Sequence, residues 1–146
     1  MLDIKINLLK NRLYITYSPY PEDPYGNGIH AIRKAAGKLS SGFGCITRFT
    51  DIRSMDQQTD RQVREAREML VDMGMTRAVR IGEFPEGDHA DIAGIEPEII
   101  RRYSGRRCTV YTADTPVKAE NLLDRADKTS RTENRFNPGF AGNNAV

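Results

Sequence analysis

Near its start the chain alternates apolar with polar residues twice. Ile4, Ile6 and Leu8 share one face of the first run, and Leu13, Ile15 and Tyr17 share one face of the second. A period of two marks half-buried strands. Lys10-Asn11 separates the runs at the length of a tight hairpin turn, with Asn able to take a positive φ. From Ser18 to Gly28 three prolines remove donors and fix φ, so this stretch reads as a surface loop carrying Tyr20 and Tyr25.

The period then lengthens. Ile29, Ile32, Ala35, Ala36 and Leu39 recur at helical spacing with Arg33, Lys34 and Lys38 opposite, and Gly42 is placed to end the helix. Gly37 weakens this helix or admits a close backbone neighbour. A partly buried strand follows from Phe43 to Asp51. Thr59-Asp60-Arg61-Gln62 reads as a capping box for a helix that buries Val63, Ala66, Leu70 and Met73 and stops at Gly74. On its wet face Arg61 with Glu65 and Arg64 with Glu68 are spaced for i,i+4 pairs. Arg77 to Ile81 is a short strand, and an acidic loop runs from Glu83 to Asp91. Pro97 suits the first turn of a short helix through Ile99, Ile100 and Tyr103, closed by Gly105. Cys108 to Thr112 is another strand. Thr115-Pro116 caps a last helix burying Ala119, Leu122, Leu123 and Ala126.

The expected order is therefore β-β-α-β-α-β-α-β-α: an α/β domain over residues 1–126. Its mixed sheet is led by a hairpin, with right-handed helical crossovers between later, parallel strands. Residues 127–146 lose the pattern and read as an extended C-terminal tail, with Phe136 and Phe140 as anchors for docking on a neighbouring chain.

Composition narrows the functional classes. The chain has 146 residues, 38% hydrophobic and 29% charged, enough to bury a core without staples. No apolar run approaches the roughly 20 residues of a membrane span. The polar-interleaved start is not a secretory signal, so a cytoplasmic location is expected. Net charge is only +2, and this balance argues against a nucleic-acid partner.

Chemistry-bearing residues are sparse. Cys45 and Cys108 sit in apolar runs, where a thiol acts as a small buried hydrophobe. His30 and His89 lack further ligands for zinc, so no metal and no cofactor is expected. No nucleophile stands beside either histidine, so no catalytic residue is named. Gly26-Asn27-Gly28 follows a proline-rich loop rather than a strand and reads as a turn, not a phosphate cradle. Arg101, Arg102, Arg106 and Arg107, bracketing Tyr103, form the densest basic cluster and the candidate anion contact.

The run Phe43 to Ile52, then Ser54-Met55-Asp56, the helix ending in Met73-Gly74, and Arg77-Ala78-Val79-Arg80-Ile81 resemble the STAS family, named for sulfate transporters and anti-sigma-factor antagonists. The free-standing, SpoIIAA-like bacterial members are the nearer resemblance. Tyr103 to Thr112, with Arg106-Arg107 leading into Val110-Tyr111-Thr112, continues it, and it spans about Met1 to Ala126. In that family's phospho-regulated antagonists a Ser or Thr follows an aspartate where the third strand meets the next helix. A kinase partner phosphorylates it, and the added charge breaks a protein complex. Asp56 matches that aspartate, but Gln57 and Gln58 stand in the acceptor positions, with Ser54 and Thr59 as the nearby hydroxyls.

The resemblance and the missing catalytic set imply a non-catalytic protein-interaction or regulatory module without the usual phospho-acceptor. Its partner is a protein or a second copy of the chain. The alternatives are a small-ligand carrier, for lipid or nucleotide, and a phosphate or nucleic-acid contact through Arg101 to Arg107.

Overall fold

The computed structural model describes residues 2–17, 27–50, 57–81 and 97–136; within these, side chains are described except at Asn27, 57–60 and 129–136. Six strands and three helices occur among them: β1 (Leu2–Asn7), β2 (Arg12–Tyr17), α1 (Asn27–Ala36), β3 (Gly44–Phe49), α2 (Gln57–Asp72), β4 (Arg77–Ile81), β5 (Glu98–Arg101), β6 (Arg107–Ala113) and α3 (Pro116–Phe136). They build one mixed sheet in the order β1-β2-β3-β4-β6-β5. β2, β3, β4 and β6 are parallel, and β1 and β5 flank them antiparallel.

Helices cover both faces. α1 and α2 pack together over one, and α3 lies on β3, β4 and β6 over the other. Strand alternation sorts the side chains accordingly. Leu13, Ile15, Cys45, Ala78, Cys108 and Val110 join Ile32, Ala66, Leu70 and Met75 in the larger core. Ile46, Val79, Ile81 and Ala113 meet Ala119 and Leu123 of α3 in the smaller one. A side chain at Gly44 would meet Leu123 Cδ1 at 3.3 Å, so glycine there lets α3 lie close to β3.

The hairpin forms with Ile4 opposite Ile15 and Ile6 opposite Leu13. Its turn is longer than two residues. β1 stops at Asn7, and Leu8 and Leu9 are exposed in the turn, 66% and 99%. Asn11 takes the positive φ, at 55°. Its side chain donates to Ser40 O at 3.1 Å and accepts from Ser40 N at 2.8 Å, tying the hairpin to the turn behind α1.

Four expectations need correction. α1 ends at Ala36, and Lys38 and Leu39 continue it only by tighter bonds to Ala35 and Ala36. Gly37 is therefore outside the helix, and Gly42 instead bonds Gly74 O at 2.7 Å beside the end of α2. α2 begins at Gln57, so Thr59 lies inside its first turn rather than at its cap. The stretch expected as a helix after Pro97 is the edge strand β5, hairpinned to β6 with Ile100 opposite Cys108. Two adjacent isoleucines satisfy either period, and ladder bonds to β6 decide for strand.

Last, α3 runs ten residues past Ala126, so 127–136 is helix and not extended tail. Nothing from Lys128 to Phe136 breaks a helix: the stretch holds no proline and no glycine. Residues 137–146, with Phe140, lie outside the described residues.

Candidate functional site

The basic cluster is split between structure and surface. β5 and β6 are joined by a turn in which Arg102 N bonds Arg106 O at 2.8 Å and Gly105 takes φ 88°. Arg102 turns toward α2. Its Nε and Nη2 reach Asp72 at 3.2 and 3.0 Å, and its Nη1 reaches Glu68 at 3.0 Å. Ser104 Oγ adds a longer bond to Asp72 at 3.4 Å. The bonds from Arg102 hold the Asp72 carboxyl below its ordinary pKa. Arg102 therefore pins the hairpin and is not available as an anion contact.

The other three arginines differ. Arg101, Arg106 and Arg107 are exposed, and their side chains make no ion pair among the described residues. Arg101 and Arg107 stand directly opposite in the register. Like charges so placed repel across a strand pair. Arg101, on the edge strand β5, also guards that edge against stray strand pairing. Tyr103, at the tip of the turn, is fully exposed, and Ile99 is half exposed on the face that carries Arg101 and Arg107.

A second charged cluster was not foreseen. Arg12 is 2% exposed beneath α3. Its guanidinium bonds Glu120, Asp124 at 2.7 Å and Asp127 at 3.1 Å, while Arg77 reaches Asp127 at 3.2 Å. Burial alone would lower the Arg12 pKa, but its bonds to Asp124 and Asp127 and the charge of Glu120 outweigh it and raise it. Tyr14 is pushed up to about 12 by burial and by its bond to Glu120. The signal was present in the sequence, since Glu120, Asp124 and Asp127 recur at i, i+4 and i+7 on one helix face. This network fastens α3 to β2.

The remaining candidates are placed as follows. Gln57, Gln58 and Thr59 form the first turn of α2, while Ser54 and Asp56 lie outside the described residues. Phe136 is the last residue of α3. His30 is exposed on α1, and His89 lies outside the described residues. Cys45 and Cys108 are buried, and burial pushes both thiols up to about 12. Among the described residues no three His, Cys, Asp or Glu groups are arranged to hold a metal ion, and no helix is long and apolar enough to cross a membrane.

Compared with protein-family models, with curated proteins and with solved structures, the chain matches none.

Proposed function

We propose that the chain is a non-catalytic, STAS-like interaction module that docks an acidic protein surface through its β5–β6 hairpin. One observation carries this reading: Arg102 clamps the hairpin to α2 while Tyr103, Arg101, Arg106 and Arg107 stay exposed, and among the described residues Arg101 and Arg107 make no ion pair. Exposed aromatic and arginine side chains on a rigid support are what interface hot spots use. An acidic partner would also relieve the repulsion between Arg101 and Arg107, so the fold's own cost becomes a gain on binding. The STAS resemblance supports a regulatory setting. Gln57 and Gln58 in the opening turn of α2 accept no phosphate, which favours a contact without the family's usual switch.

The test pairs affinity with stability. Arg101→Glu with Arg107 retained should give a favourable cross-strand pair and raise stability by a few tenths of a kcal/mol. The same change should abolish capture of the partner from nuclease-treated native lysate, and Tyr103→Ala should weaken it. Capture by Arg101→Glu equal to wild type would overturn the reading.

A further inference from the structure

Among the described strands β5 ends the sheet. In its antiparallel ladder to β6, bonded and non-bonded positions alternate. Arg102 N bonds Arg106 O at 2.8 Å, so the bonded pairs that follow are Ile100 with Cys108 and Glu98 with Val110. β6 agrees from its other side, where Thr109 N donates to Thr76 O at 3.1 Å and not to β5. The N–H and C=O groups of Ile99 and Arg101 therefore point away from β6, and no described strand lies beyond them.

The side chains beside these groups are open to solvent. Ile99 and Arg101 share one face with Thr109 and Arg107 opposite them, and both Ile99 and Arg101 are exposed. Arg101 and Arg107 occupy a non-bonded position, where opposed side chains stand closest, so positive charge is concentrated on this face. On the other face Ile100 packs against the larger core and fixes β5 in place. The bonds from Arg102 to Asp72 and Glu68 fix the turn beside it. The edge is thus a rigid template of outward backbone groups, an apolar side chain and paired arginines.

We propose, building on the hairpin docking described above, that β5 takes an extended acidic segment of the partner protein as a further strand. An apolar residue of that segment lies opposite Ile99 and a carboxylate opposite Arg101. Strand addition draws affinity from main-chain bonds and specificity from alternate side chains. Charge chooses the occupant. A second copy of the chain would bring its own Arg101 and Arg107 to the same edge, adding charge of the sign already concentrated there. A carboxylate two residues from an apolar side chain stands on the same face of an extended segment, which is the spacing of Arg101 from Ile99.

The experiment titrates the full chain with the end-capped peptide Thr-Glu-Thr-Val-Thr-Glu-Thr, followed by amide NMR. The amide protons of Ile99 and Arg101 should move downfield as they gain acceptors, while that of Ile100, already bonded to β6, stays. Lysine in place of both peptide glutamates should weaken binding by about tenfold or more. Methylating the backbone nitrogens of the glutamates and valine should abolish it, because those donors face β5. Ile99→Pro removes an outward N–H, leaves the ladder to β6 whole and should also cost about tenfold or more in affinity. Unmoved Ile99 and Arg101 amides, or equal binding of the methylated peptide, would overturn the proposal. So would the same shifts on raising the protein concentration alone. If the methylated peptide still binds and Arg101→Glu abolishes that binding, strand addition fails and the hairpin reading stands. Equal peptide binding by Arg101→Glu sinks the hairpin reading itself.

Discussion

Arg12 of β2 and Asp124 of α3 are joined by a 2.7 Å charge-assisted hydrogen bond across the outer face of the sheet. The arginine is almost wholly covered, while its carboxylate partners keep contact with water. The two ends of the pair therefore respond differently to removal. Arg12→Ala should lower the unfolding free energy by about 2 kcal/mol, less than the ~3–5 kcal/mol of a fully buried pair, because the freed carboxylates rehydrate. Arg12→Met, which keeps the apolar stem, should cost less. Urea denaturation measures both, and two variants as stable as wild type would refute the anchoring role.

Acid should loosen the same joint. The bond from Arg12 holds the Asp124 carboxyl below its ordinary pKa, and Arg102 does so for Asp72. A depressed folded value means that the stabilisation is complete above the unfolded carboxylate range and is lost as pH falls through the folded value. Stability should thus drop as pH falls below the ordinary carboxylate range. Asp124→Asn should flatten that drop, measured as the denaturation midpoint against pH. A variant curve parallel to wild type would contradict the assignment.

The thiols should be silent in the native protein. Cys45 and Cys108 are 1% and 0% exposed, and their pKa values near 12 leave little thiolate at neutral pH. Ellman's reagent should find no reactive thiol in the folded chain and both after denaturation. Rapid native reaction at either cysteine would show that its strand opens.

Gly74 separates two kinds of glycine cost. It holds φ 116° after α2, and an added side chain would lie 2.7 Å from Ser41 Oγ and 3.1 Å from Ser41 Cα. Gly105 also has positive φ, 88°, but faces open space. Gly74→Ala should cost at least about 2 kcal/mol, adding a clash to the backbone strain, whereas Gly105→Ala should cost about 1 kcal/mol. Thermal melts of the two variants give the comparison, and equal losses would remove the clash from the account.

How far the residues reveal the fold depends on how local each decision is. Ile4, Ile6, Leu13 and Ile15 announce a hairpin because alternation is a property of neighbours along the chain. Val63, Ala66 and Leu70 announce a helix in the same way. Ile99-Ile100 carries no such signal, and the strand there exists because Cys108 lies opposite Ile100. The anion cluster was legible only as composition. Which of its arginines is committed depends on Asp72 and Glu68, some thirty residues earlier in the chain.

By itself the sequence determined the α/β order as far as β4, the leading hairpin, the positive φ at Asn11 and the burial of both cysteines, all of which follow from local period and side-chain chemistry. Only the tertiary structure decided that Arg12 is a buried anchor, that α3 continues through Asp127 to Phe136, and that Arg102 is committed to Asp72 and Glu68. Each of these depends on which distant side chain comes within bonding distance once the sheet assembles, and charge pairing is settled by that distance and by exclusion of water, neither of which is written in any local stretch of residues.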